Sequence, residues 1–122
     1  MAEYMRRIDF DVLDASPGRY TSELVGPQSG LRSLFMTVIK TPPGLGSPAG
    51  LHTHVVDQTF YVLRGTLRIE IAGIHAEATE GSVVIIPAGV PHRNWNDGAG
   101  PAVHLAIASP APDPAESFAR PA

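Results

Sequence analysis

The stretch "HTHVVDQTFYVLRG", residues 52–65, opens with two histidines two positions apart, runs on as an apolar strand and stops at a glycine. In an extended chain alternate side chains share a face, so His52, His54 and Gln58 point the same way if no bulge intervenes. Phe60 and Val62 continue that face, while Asp57 and Tyr61 have the opposite parity. Two imidazoles and an amide at the head of one strand are unusual furniture for a surface. They raise the question of what those side chains converge on.

The rest of the chain is organised the same way. Twelve Gly and twelve Pro are spread through 122 residues, and they punctuate short apolar runs rather than forming a block. That pattern predicts many short strands joined by tight turns. "RRIDFDVL" (6–13) alternates weakly and reads as a first strand; a short strand is expected around Tyr20–Leu24, and "LRSLFMTVIK" (31–40) is a third. "TPPGLGSPAG" (41–50) cannot be regular structure. Leu67, Ile69 and Ile71 alternate with Arg68 and Glu70, the mark of a half-buried strand, and "AG" at 72–73 is its hairpin turn. "SVVIIPAG" (82–89), "HRNWN" and "AVHLAIAS" (102–109) complete nine to eleven strands. The segment 111–122 reads as a tail, an arm or a short helix around Ala115–Ala119. One domain over residues 1–110 is expected, all-β and with little or no helix, as a sandwich or a closed barrel.

Composition narrows function by exclusion. With no cysteine, disulfides and thiolate metal sites are ruled out. The net charge is −3 and the largest basic cluster is the Arg6–Arg7 pair, so a nucleic-acid partner is not expected. No apolar run reaches membrane-spanning length, and the first residues lack a signal-peptide core; no membrane partner and a cytoplasmic location are the expectations.

His92 follows a separate strand and turn. Three imidazoles and a carbonyl oxygen meeting inside a small barrel would form a site for a first-row divalent ion. Gly46, His52, His54, Gln58 and Gly65 stand at the spacing of the first motif of the cupin family, with Gln58 where that motif normally carries glutamate. Gly81, Pro87, Gly89, His92 and Asn96 stand at the spacing of the second motif, and fifteen residues separate the two. Residues 46–96 therefore resemble a small single-domain cupin. The resemblance implies a double-stranded β-helix, or jelly-roll barrel. It also implies one divalent transition metal (Zn, Ni, Fe, Mn or Cu) bound by His52, His54, Gln58 and His92. Asn96 is expected to bond turn backbone and not to ligate.

Gln58 has chemical consequences. A neutral amide leaves the ion with a formal charge near +2, which favours Lewis-acid chemistry or anion binding; Gln58 is either the fourth ligand or a donor just behind a histidine triad. Small cupins that linearise unsaturated uronates are similar over this segment, but they carry an acid and an aromatic where this chain has Ala106 and Ala108. His104, on the same face as those alanines, is the candidate general acid or base. Phe60, Val62, Asn94 and Met36 are the candidate substrate-pocket residues. On the strand of Met36, parity does not choose between Met36 with Val38 and Phe35 with Thr37.

Three functions compete at this stage. One is an isomerase, lyase or cyclase acting on a small oxygen-bearing molecule; the second is a metal-dependent dioxygenase; the third is a module that binds a small molecule without turnover. A homodimer is expected, with the 6–13 strand added to a neighbouring barrel and with Tyr61 and Leu63 on a sheet face that a partner could cover.

Overall fold

The structure is a computed structural model that describes residues 4–47, 50–113 and 118–122. Among these residues it has ten strands in two five-stranded sheets. The strands are β1 (Tyr20–Val25), β2 (Phe35–Thr41), β3 (His52–Thr53), β4 (Asp57–Arg64), β5 (Leu67–Ile71), β6 (Ile74–Ala78), β7 (Val83–Ile86), β8 (His92–Trp95), β9 (Ala102–Ser109) and β10 (Arg120–Pro121). One sheet runs β1-β2-β9-β4-β7 and the other β10-β3-β8-β5-β6, with every pairing antiparallel. This is the two-sheet jelly roll that the strand pattern predicts.

The alternation along each strand builds the core. Phe60 and Val62 from β4, Leu67 and Ile69 from β5, Val84 and Ile86 from β7 and Ala106 from β9 form one buried cluster between the sheets. The β5–β6 hairpin closes at Ala72 and Gly73, both at positive φ (51° and 80°), as a two-residue turn between twisted strands requires. The motif glycines serve close approach. A Cβ on Gly65 would stand 2.5 Å from the carbonyl oxygen of Pro101, and one on Gly46 would run into Asn94 and Trp95 of β8. Asn96, 1% exposed, ties the loops together as expected. Its Nδ2 donates to the carbonyls of Thr41 (2.9 Å) and Gly100 (2.8 Å), and its Oδ1 accepts from the Gly98 amide (2.9 Å).

The N-terminal segment corrects the sequence reading. Residues 6–13 do not form a strand; Phe10–Ala15 is a short helix, α1. Asp9 caps it, its Oδ1 accepting from the Val12 amide at 3.1 Å. Ile8 before the cap and Leu13 at the fourth helical position pack in the same cluster, a hydrophobic staple. Leu13 is fully buried against Val38 and Val103, on the outer face of the first sheet. The buried Lys40 of β2 then caps the other end. Its ammonium donates to the carbonyls of Ser16 (2.7 Å) and Leu13 (3.0 Å), and lies 3.5 Å from that of Asp14. The segment thus folds onto its own barrel, so it is not the exchanged strand of a dimer. Leu63 packs beneath it too, and is no open face.

The C-terminal tail also returns to the barrel where it is described. Arg120 and Pro121 pair with Thr53 and His52, and Ala122 donates to the Leu51 carbonyl at 3.2 Å. A helix at Ala115–Ala119 falls mostly outside the described residues.

Candidate metal centre

His52 and His92 are direct cross-strand partners on β3 and β8. His54 follows β3, and the chain then crosses to the opposite sheet before Gln58. The three histidines cluster, and Gln58 shares a cavity with His52 and His54, but not for the reason parity supplied: β4, which carries Gln58, belongs to the opposite sheet instead of continuing their strand. The three imidazole centroids lie 4.4–4.9 Å apart, and one ring nitrogen of each lies within 4.8 Å of the other two.

Each imidazole is held from behind by a backbone carbonyl. His52 Nδ1 is 2.5 Å from the Gly50 oxygen, His92 Nδ1 is 2.9 Å from that of Val90, and His54 Nδ1 is 2.7 Å from that of Phe118. A carbonyl only accepts, so in all three rings Nδ1 carries the proton and the lone pair sits on Nε2. The turns before β3 and β8 thereby set the tautomer of two histidines, and the returning C-terminal segment sets the third. The Phe118 ring stacks on His54 at 4.1 Å.

Burial favours the neutral form of His54 and His92. It pushes His92 down to about 4, with the charges of His52 and His54 adding to the effect and the Val90 carbonyl opposing it. His54 is lowered chiefly by the same desolvation. Two buried atoms here have no hydrogen-bond partner among the described residues: His92 Nε2 and Gln58 Oε1. Buried polar atoms are rarely left orphaned. Unprotonated imidazole nitrogens and an amide oxygen, facing one another without protons to share, fit a divalent transition ion.

The cavity beside this cluster has a volume of about 240 Å³. His52, His54, Gln58, Phe60, Asn94 and His104 line it, together with Arg19, Ile39, Ser47, Phe118 and Ala119. His104 is 1% exposed, and neither ring nitrogen has a partner. Its ring lies 4.6 Å from that of Phe60, and burial, reinforced by the charge of Arg19, pushes its pKa down to about 4. Ala106 and Ala108 share its parity on β9 and are buried, Ala106 within the core cluster.

Two pocket candidates are misplaced by the sequence reading. Val62 is fully buried in the packed core and does not line the cavity. Met36 lies on the outer face of β2 beside Leu105 and the N-terminal segment; the inward set is that of Phe35, Thr37 and Ile39. Arg19, Ile39, Ser47 and Phe118 are absent from the sequence reading. Ile39 follows from parity once α1 is known to cover the other face, and Ser47 from its backbone and side-chain bonds to Asn94. Arg19 and Phe118 arrive from loops with no local signal.

The fold and the motif residues agree with comparison to known proteins. The chain belongs to the cupin domain family, whose model matches residues 37–108. Solved structures share the fold. The protein TT1209 from Thermus thermophilus is 23% identical, with a TM-score of 0.73 over 88% of this chain and 100% of that one. The polyketide cyclase RemF from Streptomyces resistomycificus is 21% identical, with a TM-score of 0.74 over 97% and 85%. KdgF from Halomonas sp. is 21% identical, with a TM-score of 0.69 over 82% and 86%. No curated protein matches the chain. No helix among the described residues is long and apolar enough to cross a membrane.

Proposed function

We propose that this protein is a mononuclear metal cupin enzyme that isomerises, cyclises or eliminates from a small oxygen-bearing molecule. His52, His54 and His92 hold the ion through Nε2, and Gln58 supplies the fourth protein donor. The observation that carries the reading is the set of three imidazoles, each with Nδ1 tied to a carbonyl, facing an amide oxygen that has no donor. A divalent ion in this neutral donor set supplies Lewis acidity toward a carbonyl or enolate oxygen.

The chain supplies the rest. His104 lines the cavity, burial favours its neutral form, and its ring nitrogens have no partner among the described residues, so it is the group assigned as general base. Phe60, Ile39 and Phe118 give the cavity an apolar wall beside it. The polyketide cyclase among the fold neighbours belongs to this reaction class; at 21% identity that likeness speaks for the barrel, and the donor set speaks for the chemistry.

A ligand-binding protein without turnover is the second reading. It is favoured by the sparse supply of acid–base groups: among the described residues lining the cavity, His104 is the one imidazole or carboxyl side chain apart from His52 and His54. Metal analysis of the purified protein tests the common premise. One divalent ion per chain is expected in the wild type and a sharp loss in His92→Ala. Unchanged metal content in that variant overturns the assignment. Turnover of enolisable substrates by the loaded protein separates the enzyme from the binding module.

A further inference from the structure

Arg19 differs in its ion pairing from Arg64, Arg68 and Arg93. Arg64 is paired with Asp14 at 2.8 Å, Arg68 with Asp97 at 2.9 Å and Glu77 at 3.1 Å, and Arg93 with Glu70 at 2.8 Å. Arg19 makes no such pair among the described residues. It sits just before β1 with its guanidinium against the cavity that holds His104 and Gln58. It is the only cationic side chain lining that cavity, and no Asp or Glu among the described residues lines it. Arg19 remains solvent-exposed, but the part of its guanidinium that faces the cavity is desolvated, which pulls its pKa below the usual arginine value.

The surroundings specify what would relieve it. A guanidinium offers two parallel N–H groups, the match for a carboxylate. One cation balances one negative charge, which favours a monoanion over a dianionic phosphate. Beyond Arg19 the wall turns apolar at Ile39 and Phe60, and buried His104 offers one N–H and one lone pair, both without protein partners. The cavity volume of about 240 Å³ limits the guest to a small molecule. By pairing register His104 lies opposite Val62 while Ala108 lies opposite Gln58, so the backbone of His104 stands four residues, roughly 13 Å along the strand, from the position opposite Gln58.

We infer that the cavity takes a small organic acid, a monocarboxylate bound end-on with its carboxylate on Arg19 and its apolar body against Ile39 and Phe60. The inference deepens the proposed function and rests on its reading of this cavity as the substrate site. Arg19 is then the specificity residue that tells an acid from its neutral analogue. It also orients the guest, so that the carbon next to the carboxylate faces His104 while the far end reaches toward Gln58 and the histidines.

The test is binding, measured on the chelator-treated full chain so that an ion cannot hold the carboxylate itself. Benzoate is the reference probe within a panel of short-chain and aromatic monocarboxylates, and benzamide is its neutral counterpart. Wild-type protein is expected to bind benzoate, or a closer-fitting panel member, and to bind the matching amide far more weakly. Arg19→Gln should weaken the acid by roughly tenfold to a hundredfold and leave the amide unchanged. Arg19→Lys should restore part of the loss. Arg19 is solvent-reached, so both variants are expected to melt with the wild type, and the amide serves as a second control on the cavity. The inference is overturned if no panel member binds at millimolar concentration, if acid and amide bind alike, or if Arg19→Gln binds the acid as the wild type does. A chain that takes up no divalent metal yet keeps Arg19-dependent binding overturns the metal reading and supports this one.

Discussion

Replacing Gln58 by glutamate probes the centre with a single atom's change, and the structure sets the direction of two effects at once. Gln58 is 7% exposed and its Oε1 has no hydrogen-bond donor. A carboxylate put there in the metal-free protein is a buried charge facing lone pairs, because the three histidines spend their Nδ1 protons on carbonyls. Leaving a buried acceptor unsatisfied costs about 1–3 kcal/mol, and a charged one more. At about 4–8 °C per kcal/mol for a domain near this size, the metal-free variant should melt several degrees below the wild type. The carboxylate also competes for protons by drawing one onto a neighbouring imidazole. With an ion bound the sign reverses. A unit charge roughly 4 Å from a unit charge at an effective dielectric constant of about 20 gains about 4 kcal/mol, and the desolvation has already been charged to the free form. Even after proton competition the variant should hold divalent metal on the order of a hundredfold more tightly, about 3 kcal/mol. Calorimetric titration against a competing chelator, paired with melting of the metal-free proteins, measures both effects. Equal or weaker binding by the glutamate form, or an undiminished melting temperature without metal, refutes the electrostatic account.

His104→Leu removes two orphaned nitrogens from the core, so at neutral pH the variant should be at least as stable as the wild type while losing turnover. The same residue gives a pH signature: its folded pKa of about 4 lies below the unfolded value near 6.5, so between those values the unfolded chain binds the extra proton and stability falls as pH drops through the window. Urea unfolding at about pH 7 and about pH 4.5 should show that the leucine variant loses less stability on acidification, by up to roughly 3 kcal/mol; an identical acid loss in both proteins excludes His104 as a depressed titrating group. A homodimer is also expected, through the outer face of β4 and β7, where Tyr61, Val83 and Ile85 are 40%, 56% and 71% exposed and α1 does not reach. Light scattering should give twice the 12.9 kDa chain mass and Ile85→Asp should halve it, whereas a wild-type monomer at low micromolar concentration refutes the dimer.

What was legible in the sequence was local. The spacing of the motif glycines, prolines and histidines carried the barrel and the convergence of His52, His54 and His92, although the close approaches that Gly46 and Gly65 permit are to distant chain. The misreadings share one cause, which is that distant chain decides the outcome. In "RRIDFDVL" the alternation of Ile8, Phe10 and Val12 with acids imitates a strand, yet Asp9 is a cap and Leu13 the anchor of a helix on β2. That helix makes β2 buried on both faces, so a two-residue period could not say that Met36 points away from the cavity. Gln58 keeps the expected face only because the chain changes sheets just before it. Arg19 and Phe118 are brought to the cavity by closure of the whole barrel, and no nearby residue announces them.

The hydrogen bond from His54 to the Phe118 carbonyl spans 64 positions of sequence, and it joins two equilibria that would otherwise be separate. When residues 118–122 lie along β3, His54 has one tautomer and presents its lone pair inward; when they lift away, the ring is free to exchange its proton between nitrogens, and part of its population is no longer a ligand. An ion on the triad therefore selects the docked end. By linkage the reverse holds with the same coupling free energy, so the change in amide protection at Ala122 on metal loading and the change in metal affinity on undocking of the end report one coupling.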